Sequence, residues 1–283
     1  MIAEAIRAID DFIAKQTDTN PHLEALKRTP GYDKFRQSFA TGIKGQASKV
    51  ADDFRTLSDP RVYDQSYDPL TDTQKTHLNN WVGRHMPPIH QLVPRYPVFN
   101  YFRQVFNATV KNRYGKWGFK TKAVDYNFEV SNPHYTAQLN SHTDYLLHKS
   151  TIDDTTKARI INVIDEGKQA GMTNDEVADS INDEFDQISG TRADMIARTE
   201  TANVAGQADM AAATENGVQT KHWVVAGPGC PICDDNEADG SIDINDSFSS
   251  GDDTVPAHPN CECYVDFDEI DLDALADSLW DGS

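Results

Sequence analysis

All four cysteines of this chain fall between residues 230 and 263. They read Cys230-Pro-Ile-Cys233, then a long acidic loop, then His258-Pro-Asn-Cys261-Glu-Cys263. No other stretch constrains the fold as tightly. A tetrahedral metal site needs about four soft or borderline ligands at roughly 2.0 to 2.3 Å. A Cys-x-x-Cys turn presents two thiolates to one ion, and His258 with Cys261 offers two more ligands at the same separation. The expected set is Cys230, Cys233, His258 and Cys261. Cys263 is the substitute ligand, because residues two apart on a strand share a face. Pro231, Pro259 and the Gly227-Pro228-Gly229 turn stiffen both knuckles.

Zinc is the expected metal. Four protein ligands close such a site and make it structural, with no open position for a catalytic water. Two disulfides or free buried thiols are the alternatives, and a chain assembled in cytosol would keep its thiols reduced. A nucleophilic cysteine with His258 as its base is a further option. Nothing in the sequence marks an oxyanion hole or a third orienting group for it.

Charge adds a second constraint. The chain has 283 residues and a net charge of -19. Aspartate dominates the acidic residues and lysine is scarce. A generally acidic soluble surface explains this, and so does adaptation to high salt in a halophilic source. Yet from Thr73 to Val124 there is no acidic residue. That stretch carries Arg84, Arg95, Arg103, Lys111, Arg113, Lys116, Lys120 and Lys122, interleaved with aromatics such as Trp81, Tyr96, Tyr101, Phe102 and Phe106. One reading is a surface that meets an acidic partner protein or DNA phosphate. The other is an aromatic core with a solvated basic rim. Pro87-Pro88, Pro94 and Pro97 predict that the block starts as an extended, wrapping segment.

The expected fold class is α+β, mainly helical, with a small zinc-stabilised β module near the C-terminus. Residues 1–57 read as helical, with Ile2, Ile6, Ile9 and Ile13, then Phe35, Phe39, Ile43 and Val50 at helical spacing. Residues 58–133 read as a basic, aromatic and partly irregular segment, with a helix near Phe99–Val110 and a short strand over 124–130. Residues 134–217 read as helices. One covers about 135–149, and the next buries Ala158, Ile161, Ile164 and Lys168. Thr173-Asn-Asp-Glu176 is a capping box for a third helix, with Val177, Ile181 and Phe185 inward. Gly190 is expected to separate that helix from a fourth over about 191–216. Residues 218–267 form the β module, with strands at 222–226 and 264–267 flanking the knuckles. The acidic tail, 268–283, has Leu272, Leu275, Leu279 and Trp280 at the spacing of a short amphipathic helix. No apolar run is long enough to span a membrane, and the N-terminus shows no secretory pattern.

Arg192, Arg198 and Glu200 lie close together on an otherwise apolar helix. They read as a polar network locking the helix, in preference to an active-site pair. Ala197-Arg198-Thr199-Glu200, a Trp-containing strand, Cys230-x-x-Cys233, Gly240 and His258-Pro-Asn-Cys261-x-Cys263 follow one another in order. In this the chain resembles the phage head-morphogenesis family, the Mu F-like minor capsid proteins, over about residues 152–267. The family usually has Arg between the last two cysteines, where this chain has Glu262. The resemblance implies a structural, non-enzymatic virion protein of a tailed virus, near the portal or inner head and assembled in host cytoplasm. Portal protein, major capsid protein or packaged DNA would be its partners, with no membrane and no small-molecule substrate. The alternatives are a zinc-dependent nuclease or hydrolase, or a DNA-binding module using residues 73–124.

Overall fold

The computed structural model describes residues 27–64, 66–116, 133–215, 217–226 and 230–268. Among these the chain is mainly helical. The helices are α1 (Tyr32–Arg55), α2 (Asp72–His85), α3 (Ile89–Leu92), α4 (Arg95–Lys116), α5 (Pro133–His148), α6 (Ile152–Gln169), α7 (Asn174–Glu215) and α8 (Pro231–Ala238). The strands are β1 (Thr220–Val224), β2 (Ser241–Asp243) and β3 (Tyr264–Phe267). Two compact units result. The first is built on Asp33–Phe99 and Asn140–Ile196, and the second holds the described residues up to Tyr32, those between Asn100 and Leu139 and those from Ala197 onward.

In the first unit α1 buries Phe35, Phe39, Ile43, Ala47, Val50 and Phe54, one face of a helix at i, i+4, i+8 spacing. Phe54 packs edge-to-face against Tyr63 and Trp81, with ring centroids 5.1 and 5.8 Å apart. The carbonyls at the end of α1 are satisfied by Asn174, whose Nδ2 donates to Phe54 O at 3.2 Å and Leu57 O at 2.6 Å. The capping box at Thr173 forms with both arms. Thr173 N donates to Glu176 Oε2 at 2.8 Å, and Glu176 N donates to Thr173 Oγ1 at 3.3 Å. A second capping box, Thr71 with Gln74, starts α2.

Several expectations need correcting. Gly190 does not divide two helices: α7 runs unbroken for 42 residues. A glycine inside a helix costs only about 1 kcal/mol. Buried Val177, Ala178, Ile181 and Phe185 before it, with Ala193 and Ile196 after it, carry the helix across. The basic segment is not extended either, because α2, α3 and α4 occupy most of it. Its prolines sit where helices tolerate them. Pro87 and Pro88 separate α2 from α3, Pro94 precedes α4, and Pro97 lies in the first turn of α4, where backbone N–H groups lack helical partners anyway. On α6 the buried face runs through Ile152, Thr156, Ile160, Val163 and Ile164, while Ala158 and Ile161 are half-buried. The acidic loop between the knuckles also has regular structure, since α8 and β2 lie within it. The stretches 1–26, 117–132 and 269–283 lie outside the described residues. With them go the expected strand at 124–130, the isoleucines of 2–13 and the apolar residues of the tail.

The second unit ends in a three-stranded antiparallel sheet of order β2-β1-β3. Trp223 pairs with Val265 and His222 with Asp266 across β1 and β3, and Lys221 with Ile242 across β1 and β2. Trp223, Phe248, Val255, Val265 and Phe267 form the core of this module together with Cys233, Cys261 and Cys263.

A Cβ placed on Gly190 meets no atom within 4 Å, and its φ is not in the left-handed region. The Gly190→Ala variant is therefore expected to be more stable by about 0.5–1 kcal/mol, read as a higher urea midpoint at unchanged slope. A drop in the midpoint would show that the glycine serves a contact or a bend.

Candidate metal centre

The antiparallel pairing of β1 with β3 brings the two cysteine knuckles together. β1 leads into the first and β3 follows the second, so four ladder pairs from Lys221–Phe267 to Val224–Tyr264 align the approaches. Cys230 caps α8. Its Sγ accepts the N–H of Cys233 at 3.4 Å, and Pro231 takes the first helical position, where no N–H is needed. In the second knuckle, Asn260 adopts the left-handed conformation at φ 63°. Asparagine tolerates that region better than most side chains.

The donor atoms fall into two overlapping groups. Cys230, Cys233 and His258 form one, Cys233, Cys261 and Cys263 the other, and within each the donors lie within 4.8 Å of one another. Cys230 Sγ and Cys233 Sγ lie 3.2 and 3.3 Å from His258 Nε2, and Cys233 Sγ lies 3.7 Å from Cys261 Sγ. A tetrahedron with metal–sulfur bonds of about 2.3 Å has sulfur–sulfur edges of about 3.8 Å and sulfur–nitrogen edges of about 3.6 Å. The sulfur–sulfur spacing matches that figure, and the sulfur–nitrogen spacings fall about 0.3–0.4 Å inside it. The four thiols are not joined in disulfides. His258 Nδ1 is 2.9 Å from Pro259 O. A carbonyl can only accept, so Nδ1 carries the proton and Nε2 turns its lone pair toward the sulfurs, the orientation a metal ligand requires. The residues present therefore fit a thiophilic ion, and a closed set of protein donors would give it a structural role.

The electrostatics agree with that chemistry. Burial pushes the Cys233 thiol well above its ordinary value, and the neighbouring Cys230 and Cys263 add to the shift. Cys263 is pushed the same way by its contact with Cys261 and by burial. For Cys230, burial also acts upward. Hydrogen bonds at its sulfur and the nearby His258 outweigh it, so its pKa falls below the ordinary value. Packed without a cation, these sulfurs repel a second negative charge; a divalent ion reverses that balance.

Two of the three polar residues singled out on the long helix, Arg192 and Arg198, meet different partners. Arg192 is buried and donates to Thr156 Oγ1 at 3.1 Å and Thr155 Oγ1 at 2.6 Å, both on α6. Arg198 faces the second knuckle instead, with Nη1 3.5 Å from Asn260 Oδ1 and 3.9 Å from Glu262 Oε1. Six residues along a helix is about 240° of rotation, so the two arginines leave by different faces. Glu200 is half-buried on the same helix. Glu262, the residue that departs from the family pattern, has a side chain only 7% exposed and faces Arg198.

The basic segment is distributed differently from a stacking platform. Trp81, Tyr101, Phe102 and Phe106 are buried core, while Tyr96 is exposed. Arg84, Arg103 and Lys111 are exposed. Arg95 is held by Asp144 Oδ1 at 2.7 Å and Asn140 Oδ1 at 2.9 Å. Arg113 and Lys116 lie on α4, and Lys120 and Lys122 lie outside the described residues.

One residue had no place in the sequence reading. Lys221 on β1 is fully buried, donates to Asp253 O at 2.8 Å and lies 5.3 Å from the centre of the Phe248 ring. The alternation of β1 was the available signal, since Lys221 falls on the same face as Trp223.

These features define a helical protein with a small strand-paired cysteine–histidine module. Residues 158–266 match the family described as phage Mu protein F like protein, so that segment is similar to the family. The family points to a structural protein of phage head morphogenesis. No curated protein and no solved structure matches the chain. Among the described residues, no helix is long and apolar enough to cross a membrane.

Burial lowers the pKa of Lys221 from 10.5, against the upward pull of Asp253, Asp246 and Asp243. The unfolded chain therefore binds the extra proton between the lowered value and 10.5, and stability rises with pH across that window. Denaturation midpoints of the wild type should gain on those of Lys221→Met as the pH is raised toward 10.5. Parallel curves would mean that the buried amine keeps its ordinary proton affinity.

Proposed function

We propose that this chain is a minor capsid protein of a tailed virus, seated by the portal or on the inner face of the head. There it would act in head assembly, DNA packaging or ejection. The match of residues 158–266 carries this reading. The site supports it from a second direction: four donors drawn from the paired knuckles would close an ion's coordination and leave no open position for turnover. In this reading zinc is held by Cys230, Cys233, His258 and Cys261, with Cys263 as the substitute, and it staples the β module rather than performing chemistry.

The exposed cations Arg84, Arg103 and Lys111 would then contact an acidic portal or shell protein. A protein partner suits the chain better than packaged DNA. Its net charge of -19 and aspartate bias fit a source at high salt. At 1 M salt the screening length is only about 3 Å, and phosphate contacts weaken steeply.

Two experiments test this. Elemental analysis of the purified chain should return about one zinc per chain. In the Cys230→Ser variant, hydrogen exchange should speed up across residues 218–268 while the first unit stays protected. A metal-free chain with full protection of that module would overturn the staple. Independently, reconstruction of virions that carry the chain should place its density beside the portal in few copies. Density spread evenly over the shell would overturn the portal assignment.

A further inference from the structure

The second knuckle is fixed from outside itself, by one face of α7. Thr199 Oγ1 accepts the backbone N–H of Asn260 at 2.9 Å. Arg198 lies against the Asn260 and Glu262 side chains that flank Cys261. Two turns further on, Gly206 lets the chain leading into the knuckle touch the helix directly. A Cβ on Gly206 would meet Val255 O at 2.6 Å and Thr254 Oγ1 at 2.9 Å, and a carbonyl on a packed backbone cannot move aside cheaply. Thr199 and Gly206 are seven residues apart, so they lie on one stripe of the helix. That stripe therefore holds the segment carrying His258, Asn260 and Cys261 near both ends.

The hold matters because the knuckle's own turn bond, Cys261 N–H to His258 O at 3.1 Å, leaves the Asn260 N–H to an acceptor on the helix. Asn260 is in the left-handed region, 3% exposed, and sits between two donor residues. Such a conformation persists only where its surroundings enforce it. The Thr199 hydroxyl satisfies the buried N–H that this conformation turns toward the helix. Without that acceptor the N–H loses this bond and the donors on either side lose their aim.

The geometry points to Thr199 and Gly206 as positioning residues of the metal site, with Arg198 closing the far side through Asn260 and Glu262. This rests on the metal reading above. It explains why Ala197-Arg198-Thr199-Glu200 accompanies the knuckles in this chain: the helix is the template on which the second knuckle is set. It also accounts for Glu262, whose carboxylate meets the Arg198 guanidinium at that position.

The test uses the full-length chain and measures zinc affinity by competition with a chromophoric chelator, together with the cobalt(II) spectrum. Thr199→Val keeps the shape and removes the acceptor, and Gly206→Ala displaces the Val255 backbone. Each should weaken zinc binding about 10- to 100-fold, as loss of a supporting contact around a metal ligand typically does. The cobalt charge-transfer bands should shift or broaden. Thr199→Ser restores the hydroxyl and should restore both affinity and spectrum, an outcome that a general loss of packing would not produce. Circular dichroism of the zinc-loaded variants checks that the helices are intact. Wild-type affinity and spectrum in both Thr199→Val and Gly206→Ala would overturn the positioning role while leaving the metal site standing. A wild-type chain that binds no zinc or cobalt would overturn the metal reading, and this proposal with it.

Discussion

The pairing of β1 with β3 is the interaction on which the C-terminal module depends. It joins segments about forty residues apart in sequence and sets the two knuckles opposite one another. Closing a loop of that length has an entropic cost that a few ladder hydrogen bonds meet only in part. The apolar core behind the sheet is small: Trp223, Phe248, Val255, Val265 and Phe267 do most of the filling, and three of its remaining members are thiols. Domains of this size usually need a staple in addition to burial. The donor cluster stands where one would act, beyond the Val224–Tyr264 end of the β1–β3 pair.

A second dependence runs from the long helix to the module. The helix carries large apolar side chains in its first half and small ones, such as Ala202, Ala205, Gly206, Ala208 and Ala212, in its second. Small residues let backbone approach backbone. Gly206 shows the result directly, since the Val255 carbonyl occupies the space a side chain would take. Polar groups then finish the contact. Thr199 takes a backbone N–H, and Tyr101 reaches Thr201 at 2.8 Å through a fully buried hydroxyl pair. Burial of that pair holds the Tyr101 hydroxyl well above its ordinary pKa, so it stays a neutral donor and acceptor.

Much of this was legible from the residues. Helices over most of the described chain, the capping box at Thr173, the strand at 264–267 and the grouping of the knuckles all follow from local rules: period, caps, turn residues and ligand spacing. The readings that failed share a cause. Gly190 and the prolines of 87–97 are breakers by propensity, but propensity differences are about 1 kcal/mol for glycine and vanish for proline in a first turn. Buried neighbours such as Phe185 and Ile196 on one side, and Val98 and Phe102 on the other, outweigh them. On α6 the expected Ile164 and Lys168 are buried, but Ile160 takes the place expected of Ile161, because the two are equally apolar and only the packed neighbours choose between them.

By itself the sequence determined which residues make up the cysteine–histidine cluster, which stretches are helical and which family residues 158–266 resemble. All of these rest on residue type and short-range spacing. Only the tertiary structure decided that Arg192 and Arg198 serve different partners, that Lys221 is buried beneath Phe248, and that Trp81, Tyr101, Phe102 and Phe106 of the basic segment are core. It also decided that Thr199 and Gly206 meet the second knuckle. Each of these is a contact between residues far apart in the chain. No local rule carries that information, because the geometry exists only once helix, sheet and loop have packed.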